Sequence, residues 1–101
     1  MPAINDTGVR RIAQERARQF QLGYTVAHDG EHIDGELGAA ALCYLAAANP
    51  SFDPDGSLGE QLWPWPDEAR PSPTEEPERL MEIAGALIAA ELDRATEQPA
   101  F

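Results

Sequence analysis

Apolar residues recur at helical spacing in three stretches of the chain. In the first, Val9, Ile12, Ala13, Ala17 and Phe20 lie three or four positions apart, and arginines fill the remaining faces. This pattern predicts an amphipathic helix over residues 6–22. Its apolar stripe should face the core, with Phe20 as the largest side chain there.

The second stretch is rich in alanine and predicts a helix over residues 34–48. Small side chains on its apolar face would let another helix approach closely, and Asn49 followed by Pro50 ends the pattern. The predicted apolar stripe consists of Leu37, Ala40, Ala41, Tyr44, Leu45 and Ala48.

The third stretch predicts a helix over residues 75–96. Thr74 is the expected N-cap, acidic residues in the first turn suit the helix dipole, and Pro77 is tolerated at this end. The predicted apolar stripe is Leu80, Ile83, Ala84, Leu87, Ile88, Leu92 and Ala95.

Residues 49–73 interrupt the helical pattern. Prolines and the sequence Trp63-Pro64-Trp65-Pro66 predict an irregular loop, with at most one short helical turn around residues 58–62. The two tryptophans either pack this loop onto the helices or form an exposed recognition segment. We therefore predict an all-α fold: a single domain over 1–101, built as a small three-helix bundle with a long Pro/Trp-rich loop between helices 2 and 3.

Charge is divided unevenly along the chain. Sixteen of the 18 carboxylates follow Gly23, against three arginines, so residues 24–101 carry −13 and residues 1–23 carry +2. There is no lysine. Such a surface repels nucleic acid and anionic membranes and attracts basic proteins. The single cysteine, Cys43, excludes an internal disulfide, and with the absence of a long apolar run this predicts a cytoplasmic location in a bacterial host cell.

Two pairs of residues are candidate metal ligands. His28 and His32 stand in an H-x-x-E-H string, and Glu36 follows four residues later, which would align all three on one face of a helix. Glu36 and Glu91 both border predicted apolar stripes and could share a divalent ion. The alternative interpretations are capping contacts by the histidines, and an ion pair of Glu36 or Glu91 with Arg16 or Arg18 that fixes helix packing.

Several strings carry a family resemblance. They are Glu15-Arg16-x-Arg18-Gln19, Gly23-Tyr24-Thr25-x-x-His28-Asp29-x-x-His32-x-x-Gly35-Glu36-Leu37, Trp63-Pro64-Trp65, and Ala84-Gly85-Ala86-Leu87-Ile88-x-Ala90-Glu91-Leu92-Asp93-Arg94. In these the chain resembles a group of small uncharacterised helical proteins of phages and prophages.

A more distant likeness is to MazG-type nucleotide pyrophosphohydrolases, which hold magnesium with acidic residues on paired helices. This likeness implies metal-binding roles for Glu36, Glu91 and Asp93. The doubled E-x-x-E and E-x-x-D pattern of that family is missing, because Ala39 and Arg94 stand three positions after Glu36 and Glu91.

The function predicted from charge and resemblance is binding rather than catalysis. We expect a phage or mobile-element accessory protein that imitates nucleic acid and occupies the basic surface of a host defence nuclease complex, as an anti-CRISPR protein does. The alternatives are a MazG-like magnesium-dependent hydrolase or its nucleotide-binding relative, and a helical homodimer. The candidate partner-binding residues are Asp53, Asp55, Glu60, Trp63, Trp65, Asp67, Glu68, Glu75, Glu76, Glu78 and Glu82.

Overall fold

The computed structural model describes residues 7–22, 35–72 and 74–97. Of these residues 74% are helical and none is in a strand, so the fold is all-α. The helices are α1 (Thr7–Gln21), α2 (Glu36–Ala48), α3 (Ser57–Leu62) and α4 (Pro77–Glu97), with a 3₁₀ turn at Asp67–Ala69. The stretch predicted as a loop, 49–73, thus contains a short helix at the predicted turn and a second turn that was not predicted.

The longest helix, α4, is the centre of the described structure. It packs against α2 and also against α1, while α3 packs on α2. None of the four helices combines the length and the apolarity needed to cross a membrane.

Small side chains form much of the contact between α2 and α4. Ala40, Ala41 and Ala90 are at most 3% exposed, and Leu37 and Leu87 belong to the same buried cluster. Because alanine adds little bulk, the two helices can approach closely, as the composition of α2 indicated. Four larger side chains, all half-buried, close the edge of this core: Tyr44, Trp63, Trp65 and Ile83.

Of the predicted apolar stripe of α1, Ile12 lies against Gly85 of α4, but most of the other members face solvent. Val9 and Phe20 are 47% and 40% exposed, whereas Glu15, Arg16 and Gln19 are buried. The packed face is displaced from the predicted one by about one residue, or roughly 100° around the helix. The prediction that Phe20 belongs to the core is therefore wrong; the Arg16 guanidinium covers its ring at 4.4 Å from the centroid.

The apolar stripe of α4 is only partly buried. Leu80, Ala84 and Leu87 face the core as predicted, but Ile88 and Leu92 are 57% and 65% exposed. A single helix with apolar residues on more than half of its circumference cannot bury them all between two neighbours.

Local sequence accounts for the helix ends. Gly35 precedes α2 with a φ of 81°, a left-handed conformation that glycine adopts without strain. Asn49 follows α2, and its side-chain amide donates to the carbonyl of Leu45. Helix α4 begins at Pro77, so Thr74 is not its N-cap; the Thr74 hydroxyl lies 2.9 Å from that of Ser72 instead.

Candidate functional site

Most of the predicted partner-binding carboxylates lie in one stretch of the chain, residues 53–78, which we call the acidic segment. It contains eight carboxylates and one arginine, a net charge of −7. Glu60, Glu68, Glu75, Glu76 and Glu78 are exposed, and the Asp67 side chain is 85% exposed even though Arg70 lies 3.3 Å away. The acidic segment therefore presents its charge to solvent.

Two aspartates of the acidic segment also shape its backbone. Both Asp53 carboxylate oxygens accept backbone N–H groups at the start of α3, from Leu58 at 3.2 Å and Gly59 at 3.3 Å. Asp55 accepts the N–H of Ser57, and this bond helps lower the pKa of its carboxyl. Negative charge is favourable at a helix N-terminus, so these two side chains stabilise the start of α3.

The two tryptophans tie the acidic segment to the helices. Trp63 meets Tyr44 of α2 edge-on at 5.9 Å and meets Trp65 edge-on at 5.4 Å. Its indole N–H donates to the carbonyl of Pro66 at 3.0 Å. Both rings are half-buried against the α2–α4 core, which matches the packing interpretation more closely than an exposed recognition segment.

Most arginines are paired away from the acidic segment. Five of the seven belong to ion pairs on α1 and α4, so carboxylates of these two helices neutralise most of the positive charge. Glu82, predicted as part of the partner-binding surface, is one of their partners: it pairs with Arg11 and with Arg79, and its side chain is 17% exposed. It is therefore unlike the exposed acids of residues 53–78.

The pairs on α1 and α4 form a connected set, which we call the α1–α4 ion-pair network. At its centre Glu15 is 3% exposed and accepts two 2.8 Å hydrogen bonds from Arg18 and one of 2.6 Å from Arg79. Gln19 donates to it as well, at 3.2 Å. The other members are Arg11, Arg16, Glu82 and Asp93.

Two opposed effects act on the Glu15 carboxyl. Burial removes water and would raise its pKa, but hydrogen bonds from Arg18, Arg79 and Gln19 outweigh this and lower the pKa to about 2. The carboxylate is thus charged across the physiological range, and its charge joins α1 to α4.

Sequence reasoning missed this network, although one signal was present. Arg18 and Gln19 follow Glu15 at three and four positions, the spacing at which side chains meet on a helix surface. Nothing in the sequence indicated that Arg79, 64 residues away, would complete the set.

The candidate metal ligands are only partly described. His28 and His32 lie outside the described residues. Glu91 pairs with Arg94 at 2.5 Å rather than with an arginine of α1, and its second oxygen, Oε2, is buried without a hydrogen bond from a described residue. The pKa of Arg94 is raised, mainly by its hydrogen bonds to Glu91. Burial acts in the opposite direction, and the negative charge of Glu36 makes a smaller contribution that raises the pKa.

The Arg94 guanidinium binds Glu91 and is within electrostatic range of Glu36, so a positive charge already stands near both carboxylates. Across residues 7–22, 35–72 and 74–97, no group of three or more His, Cys, Asp or Glu side chains could hold a metal ion. The metal site of the sequence analysis stays a prediction.

Comparison of the chain with protein-family models, with curated proteins and with solved structures gives no match.

Proposed function

We propose that this protein acts by binding, and that the acidic segment occupies a basic surface of a nucleic-acid-binding protein in place of DNA or RNA. In its concrete form the chain is a phage or mobile-element accessory protein, and the partner is a nuclease complex of a host defence system. The three long helices serve as the frame that carries the acidic segment.

One observation carries this proposal: negative charge is separated from positive charge along the described structure. The acidic segment keeps a net −7, with most of its carboxylates exposed, while five arginines pair among the carboxylates of α1 and α4. When a cationic groove binds phosphates, counterions are released, and this release favours binding. A cluster of carboxylates that enters the same groove would be favoured by the same counterion release. Paired arginines of the partner would add charge-assisted hydrogen bonds.

The test is displacement of labelled duplex DNA from purified CRISPR effector complexes of several types. With one of them we expect the protein to displace DNA, and to do so less well as salt rises. Replacing Glu60→Gln and Glu68→Gln together removes two exposed charges and should weaken displacement about tenfold at low salt.

The matched control adds the same charge elsewhere. Gln14 and Gln21 are exposed on α1, so Gln14→Lys with Gln21→Lys changes the net charge by the same +2 outside the acidic segment. We expect less than a twofold effect. Equal losses in both double variants, salt-independent displacement, or no displacement from any complex would each contradict the proposal.

The hydrolase alternative has no described contact in its favour. Two of its three implied magnesium ligands hold arginines, since Glu91 pairs with Arg94 and Asp93 with Arg16 at 3.3 Å. It stays a prediction, which calorimetry with magnesium and a nucleotide panel addresses. The homodimer likewise stays a prediction.

A further inference from the structure

A cleft of about 230 Å³ opens between α2 and the acidic segment. One wall is the second half of α2, where Cys43 and Ala46 are buried and Ala47 is exposed. Pro50, Trp63 and Pro71 also line the cleft. The volume exceeds that of a single water by several-fold and suits one mid-sized side chain.

The walls of the cleft offer apolar contacts. The Trp63 indole N–H already donates to Pro66, so it offers no hydrogen bond to an occupant. Burial raises the pKa of the Cys43 thiol, partly offset by Arg70, and the thiol stays protonated at neutral pH. The uncharged side chains that line the cleft offer no strong hydrogen-bonding group to an occupant, so an apolar group gains the most by contacting them.

Two charged residues, Asp53 and Arg70, also line the cleft, and Arg70 is paired with Asp67. Both belong to the acidic segment, whose net charge of −7 favours the approach of cations. An occupant that suits both the apolar lining and this charge has an apolar side chain flanked by basic ones.

We propose that this cleft receives one apolar side chain from a basic segment of the partner protein. This inference rests on the proposed function and deepens it: the acidic segment attracts the basic segment, and the cleft anchors it. A single apolar anchor in a desolvated pocket, ringed by weaker polar contacts, is a common arrangement of interface hot spots. It also gives binding that does not depend on charge alone.

The test uses two end-blocked pentapeptides that have two arginines on each side of the central residue. The central residue is leucine in one peptide and serine in the other. Binding is followed by fluorescence, since Trp63 and Trp65 are the two tryptophans of the chain. A second readout is the rate at which iodoacetamide alkylates Cys43, which lines the cleft. The leucine peptide should bind about tenfold more tightly than the serine peptide and should slow the alkylation.

The decisive variant is Ala47→Leu, which fills the cleft from an exposed helical position and changes no charge. It should lower the affinity for the leucine peptide to that for the serine peptide and leave the affinity for the serine peptide unchanged. Ala95→Leu is the matched control, because Ala95 is an exposed alanine of α4 that does not line the cleft. It should change neither affinity, and circular dichroism should show both variants folded.

The outcomes separate this inference from the proposed function. Equal affinity for both peptides, falling with salt, would overturn the cleft inference and leave the acidic surface standing. A leucine preference that is insensitive to salt would support the cleft and contradict the charge-based function. If the protein binds 4-methylpentanoate and Arg70→Gln abolishes that binding, the inference of a basic partner segment is wrong. The cleft would then bind a small anion with an apolar tail.

Discussion

Replacing Glu15 with glutamine is expected to lower the free energy of unfolding by about 3 kcal/mol at pH 7. The carboxylate is 3% exposed and its pKa is lowered from 4.5 to about 2, so the folded state favours its charged form strongly. Glutamine keeps the shape but removes the charge that Arg18 and Arg79 bind. Chemical denaturation of the wild type and the variant measures the difference.

The free energies of unfolding of the wild type and of Glu15→Gln should become similar in acid. Because the folded-state pKa lies below the unfolded value, the stabilisation is complete above about pH 4.5 and is lost as the pH falls toward 2. The difference between wild type and Glu15→Gln should shrink to less than about 1 kcal/mol at pH 2. Comparing the two proteins cancels the effect of the other carboxylates, which titrate in both.

Glu60→Gln is the control for this experiment. Glu60 is exposed on α3, so its loss should change the free energy of unfolding by less than about 0.5 kcal/mol. A Glu15→Gln protein that is as stable as the wild type at pH 7 would show that the α1–α4 ion-pair network does not hold α1 in place.

Gly85→Ala is expected to destabilise the protein by about 2 kcal/mol, although alanine is the stronger helix former. A Cβ at residue 85 would lie 2.6 Å from Cδ1 and 2.7 Å from Cγ1 of Ile12. Ile12 is branched at Cβ, which restricts the rotation of its side chain away from residue 85, so relieving the overlap either strains this side chain or moves α1 away from α4. Thermal or chemical unfolding measures the loss.

A double-mutant cycle tests the cause of that loss. Ile12→Ala removes the colliding atoms, so adding Gly85→Ala to it should be neutral or stabilising. Gly38→Ala is the matched control, because a Cβ there meets nothing within 4 Å; it should stabilise the protein by about 0.5–1 kcal/mol. A loss from Gly85→Ala that persists without the Ile12 side chain would contradict the close packing of α1 on α4.

The positions of the long helices follow from local sequence. The alanine run, the Asn49-Pro50 stop and the proline at the start of α4 act through backbone conformation and nearest neighbours. These effects need no tertiary contact, so the predicted and observed bounds differ by at most two residues. The 3₁₀ turn was missed because three residues carry too little periodic pattern.

The face that each helix buries was harder to predict. On α1 the apolar positions and the Glu15–Gln19 positions both recur at helical spacing, so periodicity alone could not choose between them. Contacts with α4 determine which face of α1 is buried. Arg79, Glu82 and Asp93 of α4 pair with residues of α1, and Gly85 leaves space for the Ile12 side chain. Side chains that are 64 or more residues away cannot be assigned from spacing.

By itself the sequence determined that the protein is all-α, where its long helices lie, and that its negative charge is concentrated after the first helix, because these properties depend on neighbouring residues and on composition. Only the tertiary structure decided which carboxylates are buried with arginines and which remain exposed. It also decided that Trp63 closes a cleft against α2. Those outcomes depend on which side chains from distant parts of the chain meet, and that is settled when the helices pack.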